Sequence, residues 1–134
     1  MRKNIERRYV SVLILEVRIL AWESMNVYDT ANRLAGEIRE SDEYKEYKKL
    51  KDTLMSNSET RKKIEDFEKL RYEIQLMQYT GEEENEEKSK KLQEMYGLLI
   101  QDSQIKEYFD LEVKFNVMIA DVNKIIAEAI KDVL

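Results

Sequence analysis

Glu112 is a carboxylate set in an apolar seam, which makes it the first residue in this chain that could do chemistry. It interrupts a series, Ile105, Tyr108, Phe115, Ile119, Val122, Ile126, Ala129 and Val133, that recurs at three- and four-residue steps. An unpaired carboxylate in such a seam is costly, because the charged form loses its water. Glu112 therefore either acts as a general acid or metal ligand, or sets the packing register by pairing with a Lys or Arg of this chain or of a partner chain. The second reading is adopted, since no second convergent catalytic group can be named. Asp110 and Asp121 lie eleven residues apart and share roughly one helix face. With Glu112 they are the candidates for the alternative reading, a carboxylate-based metal or small-molecule binding protein.

Two other charged clusters invite a function. Residues 81–87 read GEEENEE, a candidate cation or basic-partner site. The simpler reading is a solvated loop that places negative charge at the start of the next helix, where the helix dipole favours it. An EF-hand is excluded, because the alternating Asp/Asn ligands and the central glycine are missing. The basic clusters at 45–51 and 61–63 are interleaved with acids, and read as solvated faces with local ion pairs. The net charge is −5, and an acidic surface repels phosphate backbones, so direct nucleic-acid binding is not expected.

Absent residue types exclude more. The chain has no cysteine, hence no disulfide, thiolate metal site, iron–sulfur cluster or cysteine nucleophile. It has no histidine, which removes the commonest general base and zinc ligand and the Glu-x-x-His pairs of di-iron bundles. No catalytic residue, cofactor or metal is called for, and the expectation is a protein that is not an enzyme.

The elements that must position these residues are helices. With 134 residues, no proline, three glycines and 38% charged residues, few long helices are expected. A first helix is read at 26–39, with Val27, Ala31, Leu34 and Ile38 on one face. Ser41 or Asp42 caps a second that runs to about Met55, with Tyr44, Tyr47, Leu50 and Leu54 inward. Ser56 and Glu59 have capping-box spacing and open a third helix, which Gly81 ends. Its stripes are Phe67, Leu70, Ile74 and Met77, extended by Ile64, and Tyr72, Leu76 and Tyr79. A fourth spans about 86–101, and Asp102 or Ser103 caps the last, which runs to the end of the chain.

The last helix, about 30 residues and so about 45 Å long, exceeds a compact domain of this size, which is roughly 35 Å across. The fold class is therefore all-α: an elongated antiparallel helical hairpin or bundle of about four to five helices, with long third and last helices. Its surplus apolar stripes are expected to be covered by forming a homodimer. The candidate interface is Phe67, Leu70, Ile74, Met77, Phe115, Ile119, Val122 and Ile126.

Residues 1–24 differ from the rest. They carry a net +2, whereas residues 25–134 carry −7. Glu16 and Arg18 interrupt the apolar run from Tyr9 to Trp22, so it is neither a membrane span nor a clean secretory signal. The alternatives are an amphipathic surface anchor or, the preferred reading, an extension from a misassigned start codon, with the true start at Met25. Trp22-Glu23 implies a purine-rich stretch just upstream of the Met25 codon, as a ribosome-binding site would be.

From Met25 onward the chain resembles the YlbF/YmcA-like family of small bacterial helical proteins, and within it the YheA-like branch. The matching stretches are NVYDTANRLAGEIRESDEYKEYKKLKD, IEDFEKLRYEIQLMQYTGEE and YFDLEVKFNVMIADVNKIIAEAI. They contain Ser41-Asp42-Glu43-Tyr44, Asp66-Phe67, Gly81-Glu82-Glu83 and Asn123–Ile126; none of these is a catalytic signature. The resemblance implies a single helical domain over 25–134, with 1–24 outside it, that oligomerises and has no known enzyme activity. Better-studied relatives act in complexes that adjust messenger-RNA processing by a membrane-bound endoribonuclease, with effects on competence, biofilm formation and sporulation. Those relatives hold iron–sulfur clusters through cysteines that this chain lacks. By this resemblance the chain is expected to be a cytoplasmic adaptor with a protein partner in an RNA-processing complex.

Overall fold

The computed structural model describes residues 2–24, 26–83 and 85–134, with side chains described outside 19–24. The described residues form six helices: α1 (Arg2–Ser24), α2 (Val27–Glu40), α3 (Asp42–Ser56), α4 (Ser58–Thr80), α5 (Glu86–Leu99) and α6 (Ser103–Ile130). Among the described residues there is no strand. The protein is thus all-α, with one helix more than the four to five expected. The addition is α1, which covers the segment read from sequence as an extension. The long third and last helices expected from sequence are α4 and α6, of 23 and 28 residues.

Helix ends follow local chemistry. Ser41 caps α3, its hydroxyl accepting from the Tyr44 N–H at 3.3 Å. Asp102 caps α6 by accepting from the Gln104 and Ile105 N–H groups. Gly81 ends α4 in the left-handed region at φ 72°, its N–H donating to the Met77 carbonyl, a conformation glycine adopts without a Cβ penalty. One boundary differs from expectation. Asn57, not Ser56, caps α4, its side-chain oxygen accepting from the Thr60 N–H at 3.0 Å. Ser56 is still inside α3, where its hydroxyl donates to the Thr53 carbonyl at 2.6 Å. Asn57 ends one helix and starts the next, so the break is a single residue long.

The chain forms two compact units, residues 1–40 and 41–134. In the first, no residue of α2 is fully buried, and the described apolar side chains of α1 are exposed. The second holds the core. In it α3 packs along α6, α4 along α5, and α3 against α4. Tyr44 lies against Phe115 and Tyr47 against Tyr108, so α3 and α6 run antiparallel. Phe67 lies against Phe109, and Arg71, one turn on, reaches Glu112, so α4 and α6 run parallel. The buried cluster is Leu54, Ile64, Phe67, Leu99, Ile105, Tyr108 and Phe109. It sits against the first two turns of α6. The helix is about 42 Å long, and α3, with 15 residues, covers only about half of it.

Candidate interaction surface

Glu112 meets its partner within the chain. Its carboxylate accepts from the Arg71 guanidinium at 2.8 Å, with side chains 13% and 35% exposed. The same guanidinium lies over the Phe67 ring, 5.6 Å from its centre. This is a pinned register between α4 and α6: slipping either helix by one turn would strand a half-buried carboxylate. Because both groups keep some water, their coupling is expected to be about 1 kcal/mol. A double-mutant cycle of Arg71→Met and Glu112→Gln, read by urea denaturation, measures it. A coupling below about 0.3 kcal/mol, within the noise of additivity, would remove the register role.

One turn before Glu112, Tyr108 is fully buried. Its hydroxyl donates to the Glu68 carboxylate at 3.2 Å and lies 3.5 Å from the Tyr47 hydroxyl. Burial is the main cause that pushes its pKa up, helped by the Tyr47 hydrogen bond and the negative charges of Glu68 and Glu112. The phenol therefore stays neutral and serves as a buried donor. By sequence pattern Tyr108 is simply one apolar member of the seam. Its acceptor lies forty residues away, and no local spacing announces it.

The remaining carboxylate candidates do not converge. Asp110 and Asp121 are exposed, while Glu112 is turned inward to Arg71. Among the described residues no three acidic side chains gather as a metal site would need. The basic clusters carry i,i+4 pairs: Lys48 with Asp52 at 2.7 Å, Lys63 with Glu59 at 2.8 Å, and Arg61 with Glu65 at 3.9 Å. The Asp52 carboxylate raises the Lys48 pKa, and Lys63 lowers that of Glu59, chiefly through these hydrogen bonds. Of the acidic run, the Asn85 side chain caps α5, with Glu86 and Glu87 in its first turn.

The candidate interface divides. Phe67 leaves it: at 5% exposure it is core, held between Phe109 and Tyr96. Leu70, Ile74, Met77, Phe115, Ile119 and Val122 are half-buried, and Ile126 is exposed. Phe115 is stacked on Tyr47, at 5.7 Å between ring centres. Apolar faces stay open on α4 and on α6. On α4, Tyr72, Leu76 and Tyr79 are exposed, on the side opposite Phe67. On α6, Val113, Val117, Ile125, Ile126 and Ile130 are exposed. Among the described residues no helix is long and apolar enough to cross a membrane.

What the fold defines is an all-helical protein that pins its helices with part-buried polar contacts and leaves apolar helix faces uncovered. The family described as "Control of competence regulator ComK, YlbF/YmcA" matches residues 27–131, and the chain belongs to it. The chain is 41% identical over 102 residues to a UPF0342 protein of Halothermothrix orenii, covering 76% of this chain and 86% of that one. It is 38% identical over 110 residues to a UPF0342 protein of Desulfitobacterium hafniense, covering 82% and 89%. Two solved structures share the fold. One is a protein of unknown function (DUF964) from Bacillus stearothermophilus, with a TM-score of 0.68, 16% identity and coverage of 79% and 93%. The other is yheA from Bacillus subtilis, with a TM-score of 0.57, 24% identity and coverage of 82% and 100%. The family is a regulatory one rather than a known enzyme family.

Proposed function

We propose that this protein is a non-enzymatic, cytoplasmic adaptor that self-associates and regulates by binding another protein. The observation that carries this reading is the open stripe Tyr72, Leu76 and Tyr79 on α4, with side chains 61%, 46% and 95% exposed. From Tyr72 to Thr80 the helix has one charged residue, Glu73, which pairs with Lys88 at 3.3 Å. A neutral apolar stripe of about two turns is the shape that a partner's amphipathic helix reads. The adaptor lies in residues 25–134, and α1 has no part in it. The resemblance to relatives that act in RNA-processing complexes supplies the pathway, on fold and family analogy.

Affinity capture of the tagged protein at its native level tests this reading, with the triple variant Tyr72→Ser, Leu76→Ser, Tyr79→Ser run beside it. RNA-processing proteins are expected with the wild type and lost with the variant. Recovery of the bait alone from both would overturn the adaptor reading.

A further inference from the structure

The side of α6 turned away from its own chain carries a second, unused heptad. Val113, Asn116, Ala120, Asn123, Ala127 and Ile130 succeed one another at alternating three- and four-residue steps, and every one is exposed. The stripe lies roughly a quarter-turn round from the half-buried Phe115, Ile119 and Val122, and it carries no charge. A strict 3.5-residue repeat is the seam of a helix pair.

The stripe is complementary to itself. Laid antiparallel on a copy, it puts Val113 level with Ile130, Asn116 with Ala127, and Ala120 with Asn123. Both outer layers are then branched aliphatics, and every inner layer sets an asparagine against an alanine. The same register sets the half-buried Ile119 beside the exposed Ile126 along one rim. Along the other rim it sets Asp110 beside Lys131 at both ends, where opposite charges meet. An offset by a single residue breaks all of these matches. The strip is about 27 Å long, which gives roughly 500 Å² per copy. That is below the roughly 800 Å² per partner of a standard interface and fits a reversible, concentration-dependent dimer.

We propose that a second copy of this chain packs its α6 antiparallel on this stripe, about a twofold axis between Asp121 and Val122. This rests on the self-association included in the proposed function and names the surface and register for it. Sedimentation equilibrium of the full chain between 1 and 100 µM (on the order of the affinities such small interfaces reach) tests it. The wild type is expected to shift from monomer to dimer. Ala120→Glu with Asn123→Glu puts like charges in facing layers and is expected to stay monomeric, with an unchanged circular-dichroism melt because both sites are exposed. Ala120→Glu with Asn123→Lys faces opposite charges across the axis and is expected to dimerise again. A doubly acidic variant that still dimerises would overturn this surface while leaving self-association standing. A charge-swapped variant that stays monomeric would overturn the register. A wild type monomeric at the highest concentration would overturn both the surface and self-association, leaving partner binding to be decided by the capture experiment.

Discussion

Replacing Phe67 by alanine is expected to destabilise the protein by about 3–5 kcal/mol. Its ring is 5% exposed and central to an aromatic cluster, 5.3 Å from the Phe109 ring centre and 6.1 Å from that of Tyr96. The core around it is small, seven residues at one end of α6, so few neighbours can collapse into the cavity. The Arg71 guanidinium also rests on this ring, so truncation loosens the Glu112 pair as well. Domains of this size are stable by about 5–15 kcal/mol in total, and each kcal/mol shifts the melting temperature by roughly 4–8 °C. A fall of at least about 12 °C is the expected result in thermal denaturation. Tyr72→Ala on the open face of the same helix is the control, because an exposed ring gives up little on truncation. A Phe67→Ala protein within about 1 kcal/mol of wild type would mean that the aromatic cluster of Phe67, Tyr96 and Phe109 is not what holds the fold.

How much of this was legible in the sequence depends on the range of the interaction involved. Ser41, Gly81 and Asp102 act within four residues of their partners, so local residue types place the Gly81 end outright and the other two to within one residue, Ser41 or Asp42 and Asp102 or Ser103. Asn57 was missed for an equally local reason. Ser56-Asn57-Ser58 offers three capping residues in a row, and only the backbone turn selects which one caps. The α6 seam was clear because periodicity is a one-dimensional signal. Periodicity does not say what the apolar face meets, though. Phe67 and Ile126 belong to stripes of the same kind, yet one is buried in its own chain and the other is left in water. Glu112 was identifiable as a paired carboxylate from its neighbours, but Arg71, forty-one residues away, was one cation among many until α4 and α6 were laid side by side. The Tyr108–Glu68 contact lay wholly outside sequence reasoning, since a tyrosine in an apolar series reads as a hydrophobe.

That buried phenol gives the second large effect, a stability loss at alkaline pH that one substitution should erase. In the unfolded chain Tyr108 ionises near pH 10, the ordinary value for tyrosine. In the folded protein burial, the Tyr47 hydrogen bond and the facing carboxylates raise its pKa. The folded state therefore holds the proton more tightly than the unfolded one. Its contribution to stability is fully present below about pH 10 and is lost as pH rises above it, by about 1.4 kcal/mol per unit. Urea denaturation between about pH 8 and 11.5 should show the wild type losing about 2 kcal/mol more than Tyr108→Phe over that range. At neutral pH the phenylalanine variant keeps the ring but leaves the Glu68 carboxylate without its donor, at a cost of about 1 kcal/mol. The two stability curves should therefore approach, cross at roughly pH 10.5–11, and leave the wild type about 1 kcal/mol below the variant at about pH 11.5. Ionisable groups that do not touch Tyr108 contribute alike to both proteins and cancel in the comparison. Curves that run parallel across the whole range would show that Tyr108 ionises as readily folded as unfolded. In that event the hydroxyl is in contact with water, and Glu68 and Tyr47 do not enclose it.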